Sequence, residues 1–186
     1  MDCMQIIELP RKQYEGYTLH FDYDTAGYYD VRVFPTQMGF ATTFEVKGIP
    51  REHRHFTDKL YAPHWDDPRA FGLMNNEGAL SGIMEVTKEE WNNRLRITNL
   101  LVFDGYRRRG YGSLLMCKAK TLARSMGCRA IILETQSCNL GAIRFYLAQG
   151  LTLMGFNACE YSNEDIERHE VRLEMGQLIQ NNKRTE

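Results

Sequence analysis

Seven consecutive residues, Arg107-Arg108-Arg109-Gly110-Tyr111-Gly112-Ser113, place three guanidinium groups beside two closely spaced glycines. Guanidinium and backbone N–H groups bind phosphate, and glycine lets a phosphate approach the main chain closely. Spacing separates the possible phosphate motifs. Gly105 and Gly110 have the outer spacing of a P-loop, but Tyr111-Gly112 stands where Lys-Ser/Thr must reach the terminal phosphates and magnesium. Gly110 and Gly112 begin a dinucleotide fingerprint that fails at Leu115, where the third glycine belongs. The pattern Gln/Arg-x-x-Gly-x-Gly/Ala remains, matched at Arg107, Gly110 and Gly112. Its bland alternative is an arginine-rich surface turn before an ordinary helix.

The elements around this segment decide what it can do. Leu95 to Phe103 reads as a strand, and about Gly110 to Met126 as a helix. In that helix Leu114, Leu115, Lys118, Ala119, Leu122, Ala123 and Met126 form a stripe at 3.6-residue spacing, and Gly127 suits a C-terminal cap. The glycines thus stand at a helix N-terminus, where unpaired N–H groups and the helix dipole favour an anion. The run Ala130-Ile131-Ile132-Leu133-Glu134-Thr135 is short and rich in β-branched residues, as in a strand buried on both faces. It predicts a parallel partner, a βαβ unit over 95–136 and a right-handed crossover. Asn139 to Gln149 follows as a shorter helix ended by Gly150, then two closing strands near 151–161 and 168–176.

The first half reads as strand. Leu19, Phe21 and Tyr23 alternate with His20, Asp22 and Asp24, and Tyr29, Val31 and Val33 repeat the period. Phe71 to Met74 and Ala79 to Thr87 are further strands joined by turn chemistry at Asn75-Asn76-Glu77-Gly78. The mixed-charge stretch Arg51 to Asp67 reads as a solvated or substrate-side loop. His53, His55 and His64 within it share no single element, so no metal site is expected.

Length and composition set the bounds. A chain of 186 residues with 43% apolar content fits one domain, placed here at 1–176, with a polar tail over 177–186. The 23 basic and 24 acidic residues nearly cancel, leaving no global field to gather nucleic acid or an anionic membrane. One three-arginine cluster suits a single pyrophosphate better than RNA. The opening MDCMQIIELPRK has no basic leader followed by an apolar run, and no later stretch approaches the ~20 apolar residues of a membrane span. The five cysteines are scattered without C-x-x-C pairs and read as reduced thiols. These features predict a cytoplasmic protein, monomer or homodimer, without nucleic-acid or membrane partners.

With its strand-loop-helix setting, the Arg107–Gly112 pattern resembles the pyrophosphate loop of the GNAT superfamily of acyl-CoA-dependent acetyltransferases. A second match is independent: GNAT proteins place Asn, then Ala, then Tyr on a short helix after the next strand, as at Asn139, Ala142 and Tyr146. The resemblance covers about residues 70–176. It implies an α/β (α+β) GNAT fold: a mixed, mostly antiparallel sheet with a central splayed parallel strand pair and flanking helices. It also implies acetyl-CoA as co-substrate and no metal.

The resemblance assigns roles residue by residue. Leu101 and Val102 pair with the pantetheine arm, and the Val102 N–H could hold an oxyanion. Arg107, Arg108, Arg109, Gly110, Tyr111, Gly112 and Ser113 hold the pyrophosphate. Tyr146 is the matched general acid for the departing thiolate, its alternative being a core aromatic on the apolar stripe. Asn139 hydrogen-bonds the pantetheine arm or serves as an ordinary N-cap. Glu134, twelve residues before the tyrosine, is the first choice of base, its alternative a structural ion pair. Glu85 is the reserve base and, with Trp91, a candidate on the acceptor side.

A narrower resemblance is to the streptothricin acetyltransferases. It rests on Trp91-Asn92-Asn93-Arg94-Leu95-Arg96-Ile97, on Leu133-Glu134-Thr135-Gln136 through Tyr146, and on Tyr161 with Glu170-Val171-Arg172-Leu173-Glu174-Met175. It implies acetylation of a small cationic amine, the β-lysine moiety of the antibiotic, and hence resistance. Asp22, Asp24, Asp66, Asp67, Glu85 and Glu160 are carboxylates that could face such an acceptor. The N-terminal third, strand-like where GNAT members usually carry two amphipathic helices, is expected to shape that side. A protein N-acetyltransferase and a non-enzymatic acyl-CoA sensor are the rival readings.

Overall fold

The computed structural model describes residues 4–179. Along the chain these form β1 (Gln5–Leu9), α1 (Arg11–Tyr14), β2 (Thr18–Thr36), β3 (Gly39–Lys59), β4 (Arg69–Met74), β5 (Leu80–Glu89) and β6 (Arg94–Val102). Then come α2 (Tyr111–Ser125), β7 (Ala130–Gln136), α3 (Leu140–Ala148), β8 (Thr152–Asn157) and β9 (Arg172–Leu178). The described residues divide into two compact units, one of residues 4–21, 57–133 and 176–179, the other of 22–56 and 134–175.

In the first unit the strand order is β1-β4-β5-β6-β7. β1–β4, β4–β5 and β5–β6 pair antiparallel and β6–β7 parallel. The sequence explains the depth of this sheet. Ser81 to Thr87 of β5 are all buried, the polar Ser81, Glu85 and Thr87 included, so both faces of the strand are covered. Leu9, Leu19, Leu60, Ile83 and Leu101 form its core. Of the expected α2 stripe, Leu115, Ala119, Leu122 and Ala123 are buried, Met116 is buried beside them, and Leu114 is exposed. A Cβ on Gly82 would lie 2.9 Å from the Leu101 carbonyl oxygen and 3.3 Å from the Leu115 side chain, so glycine there permits the close approach.

The second unit contains most of the hairpin β2–β3, the end of β7, and α3; its strand order is β7-β9-β8. Val31, Ile143, Val171 and Leu173 make its core, with Tyr29, Phe44 and Phe156 packed against them. Phe44 and Phe156 meet edge to face at 5.3 Å.

Several local readings change. Residues 51–59 belong to β3 and not to a loop, because their charges are paired within the unit: Arg51 with Asp24 at 2.5 Å, and Arg54 with Glu52 and Glu170, each at 2.8 Å. Strand β1 and the single turn α1 were not foreseen. β8 stops at Asn157, whose Oδ1 accepts the Cys159 N–H at 3.0 Å and turns the chain. β9 starts at Arg172 because Asp165 organises the preceding turn, accepting the Tyr161 N–H at 2.9 Å and the Ser162 hydroxyl at 2.8 Å. Gln177 and Leu178 belong to β9, and residues 180–186 of the expected tail lie outside the described residues.

Candidate active site

The glycine loop connects β6 to α2. Gly110 is the N-cap of α2 at φ 85°, ψ −3°, a left-handed conformation that favours glycine, and it offers no side chain to cap the helix. The helix begins properly nonetheless, with the Leu114 N–H donating to the Gly110 carbonyl at 3.1 Å. Tyr111, buried, anchors the first turn, its ring 6.2 Å from that of Tyr106, which accepts the Asn75 side-chain amide at 3.2 Å. The three arginines differ in place. Arg107 turns back to brace the loop, its Nε–H donating to the Val102 carbonyl at 3.1 Å with Asp104 at 3.3 Å. Arg108 and Arg109 are exposed, and Arg108 holds φ 60°, uncommon outside glycine.

The strand before the loop has a defined peptide direction. The Phe103 N–H donates to the Ser81 carbonyl at 3.0 Å, and Gly82 stands opposite Val102. In an antiparallel ladder successive peptides alternate, so the N–H and C=O of Val102 and of Leu100 face away from β5. Below them the parallel register with β7 runs from Arg94↔Ala130 to Ile97↔Leu133, and β6 continues to Val102. Leu101 itself is core.

In the second unit, Asn139 caps α3, its Oδ1 accepting the Ala142 N–H at 3.1 Å, so the ordinary N-cap geometry is present. Tyr146 lies two turns along α3, 9% exposed and edge-on to Phe145 at 5.5 Å. Burial pushes its phenol up to about 12. Glu134 forms an ion pair with Arg172 at 2.8 Å. That guanidinium also binds Glu160, and Glu174 at 3.2 Å, so three carboxylates share one cation. Burial alone would lower the pKa of Arg172, but the surrounding carboxylates outweigh it, raise the pKa and hold the group firmly charged. Tyr161 is raised well above its usual range, first by burial and then by the charge of Glu134. Arg172 is the site neighbour that pattern reading missed; its one signal was a cation on a strand otherwise alternating with Val171, Leu173 and Met175.

Other candidates separate from this set. Glu85 is 0% exposed and its carboxylate is fixed by internal donors, so it cannot face an acceptor in solution. Trp91 is 86% exposed, with the Arg94 guanidinium 6.0 Å from its ring centre. Asp22 and Asp24 flank His53 at 3.3 and 3.1 Å. Among the described residues, no three His, Cys, Asp or Glu side chains converge as they would around a metal ion. No helix among them is long and apolar enough to cross a membrane.

The family model described as Acetyltransferase (GNAT) family matches residues 17–151. The chain belongs to this family. The expected GNAT fold is present, with a mixed, mostly antiparallel sheet, the parallel pair β6–β7 and flanking helices. A streptothricin acetyltransferase from Streptomyces lavendulae is 34% identical over 95 residues, 51% of this chain and 50% of the relative. Streptothricin acetyltransferase A of Bacillus subtilis (strain 168) is 30% identical over 76 residues, 41% of this chain and 44% of the relative. The matched regions thus span half or less of these relatives. Two solved structures share the GNAT fold over nearly the full length. Nourseothricin acetyltransferase superposes with a TM-score of 0.70 at 24% identity, covering 94% of this chain and 98% of that one. A protein from Bacillus anthracis str. Ames, solved in complex with acetyl coenzyme A, gives 0.73 at 20% identity, covering 95% and 98%.

Proposed function

We propose that this GNAT protein is an acetyl-CoA-dependent N-acetyltransferase acting on a primary amine of a small cationic molecule of the streptothricin type, an activity that confers resistance. The observation that carries the first half is the start of α2. A helix N-terminus with a left-handed glycine cap and no capping side chain, flanked by exposed Arg108 and Arg109, fits a pyrophosphate. Its neighbour β6 turns the Leu100 and Val102 peptides away from β5, which suits an extended arm pairing there as an added strand. When bound, acetyl-CoA supplies the activated acetyl group and the thiol leaving group.

The chain's own residues then divide the work. The Val102 N–H donates a hydrogen bond to a carbonyl oxygen placed beside β6. Tyr146, with its phenol near 12, keeps its proton at neutral pH and offers it to a departing sulfur. An alkylammonium near 10.4 must lose a proton before it attacks, and Glu134 is the group assigned to take it. Arg172 favours the charged form of Glu134, while Glu160 and Glu174 oppose that pull. Three carboxylates on one guanidinium leave a local excess of negative charge, which suits a polycationic acceptor. Asn139 caps α3 and so fixes the helix that carries Tyr146.

The deciding experiment presents the protein with acetyl-CoA and, separately, streptothricin, a polyamine, an aminoglycoside and a peptide. CoA release and one added acetyl group by mass spectrometry are expected with streptothricin. Efficient acetylation of the peptide alone would retain the acetyltransferase and reject the antibiotic; no transfer to any acceptor would favour an acyl-CoA sensor.

A further inference from the structure

Glu85 is enclosed completely, yet its partners are not cations. Its Oε1 accepts the Tyr61 N–H at 2.6 Å, and its Oε2 accepts the Thr98 hydroxyl at 2.6 Å and the Asn99 side-chain amide at 3.3 Å. A buried carboxylate is costly unless such donors satisfy it, and an apolar side chain in its place would orphan them. Two of these donors come from places where the backbone departs from regularity. Tyr61 holds φ 58°, in the left-handed region, and its hydroxyl donates to the Leu9 carbonyl. Thr98 is the extra residue of a β-bulge: Val86 stands opposite Ile97 and Glu85 opposite Asn99, leaving Thr98 without a counterpart in the register.

The bulge has a consequence for the strand beyond it. One inserted residue shifts the phase of β6, and a one-residue change of register reverses the direction of every following peptide. With Thr98 inserted, Phe103 donates to Ser81, and the peptides of Leu100 and Val102 face away from β5. Without it, those peptides would point into β5.

We propose that Glu85 is a positioning residue that fastens the Thr98 bulge, and so aims the Leu100 and Val102 peptides at the pantetheine arm of acetyl-CoA. This rests on the acetyl-CoA reading above, and it replaces the expectation that Glu85 is a base or an acceptor ligand. The carboxylate acts through β6, without touching substrate.

The test uses two ligands that divide the cofactor. CoA engages both the loop and β6, whereas ADP has the pyrophosphate but no pantetheine. Calorimetry is run on the full chain and on Glu85→Gln, Thr98→Val and Thr98→Ser. Losing the bulge clamp in Glu85→Gln or Thr98→Val should weaken CoA by about tenfold or more, with ADP within about twofold. Thr98→Ser, which keeps the hydroxyl, should bind both ligands within about twofold of the parent. If Glu85→Gln does not fold, the Thr98 pair decides alone. Equal weakening of CoA and ADP, unchanged CoA binding in Thr98→Val, or a Thr98→Ser protein as impaired as Thr98→Val would overturn the proposal. A parent chain that binds neither ligand would reject the acetyl-CoA reading and this inference with it.

Discussion

Glu134 and Arg172 meet at 2.8 Å, and the same guanidinium holds Glu160 and Glu174. The carboxylate proposed as base therefore sits in an ion pair, the alternative that its sequence position also allowed. If it takes a proton during turnover, Arg172 must influence when it does so.

Glu134→Gln should lower turnover by about 10²–10⁴-fold with little change in acetyl-CoA affinity, since a general base typically contributes that much. Arg172→Met removes the cation paired with the Glu134 carboxylate, so with Glu134 as base the acidic limb of kcat should move to higher pH. A pH–rate profile that keeps its acidic limb in both proteins would transfer the base to a water chain or another group.

At the loop, two glycines should fail differently. Gly112 lies in the first turn of α2, and on the proposed reading Gly112→Val puts a branched side chain in the path of a phosphate; affinity for acetyl-CoA should fall at least about tenfold while melting changes little. Gly110 sits at φ 85°, so Gly110→Val adds backbone strain of about 1–2 kcal/mol and should also lower the melting temperature. Calorimetry with thermal denaturation distinguishes the two; full affinity in a folded Gly112→Val protein would remove the loop from the site.

What could be read in advance was what depends on near neighbours. The helical stripe from Leu114 to Met126, the Gly110 start and Asn139 as helix cap follow from residues within a few positions, and the structure places α2 and α3 within two residues of expectation. The Thr98 bulge was invisible because it is defined by partners on β5, far along the chain. Residues 51–59 looked like a loop because a two-stranded hairpin leaves much of both faces to charged side chains, and pairing across it replaces apolar burial. β1 alternates poorly; its place comes from the Gln5↔Met74 to Leu9↔Ala70 register with β4. Arg172 joined Glu134 only through folding, from a different strand far along the chain.

Tyr146→Phe separates chemistry from packing. Turnover should drop by about 10²–10⁴-fold if the phenol donates to sulfur, with acetyl-CoA affinity retained. Its pKa, raised from 10.0 to about 12 by burial, also makes an alkaline stability prediction. The folded value lies above the unfolded one, so the contribution is intact below pH 10 and is lost as pH rises toward 12. Over that window the parent should lose about 2–3 kcal/mol that Tyr146→Phe does not. Denaturant titrations of both proteins at pH 9 and pH 11.5 measure the difference; identical losses would mean that the phenol ionises as easily folded as unfolded.

The last prediction concerns Gly82, which has no chemical role yet stands directly behind the site strand. A methyl group there would come to 2.9 Å from the Leu101 carbonyl oxygen, which belongs to the backbone and cannot rotate away, and to 3.3 Å from Leu115 of α2. Overpacking of this kind typically costs about 1–3 kcal/mol, so Gly82→Ala should melt lower than the parent. The strain falls on β6 immediately before Val102 and on the helix that carries the glycine loop at its start. Acetyl-CoA affinity should therefore fall together with stability, unlike in Gly112→Val. Leu115→Ala relieves only the side-chain half of the clash. In a Gly82→Ala/Leu115→Ala protein the lost affinity should persist, because the contact with the Leu101 carbonyl remains; full recovery of acetyl-CoA binding in that double variant would show that α2, and not β6, transmits the strain.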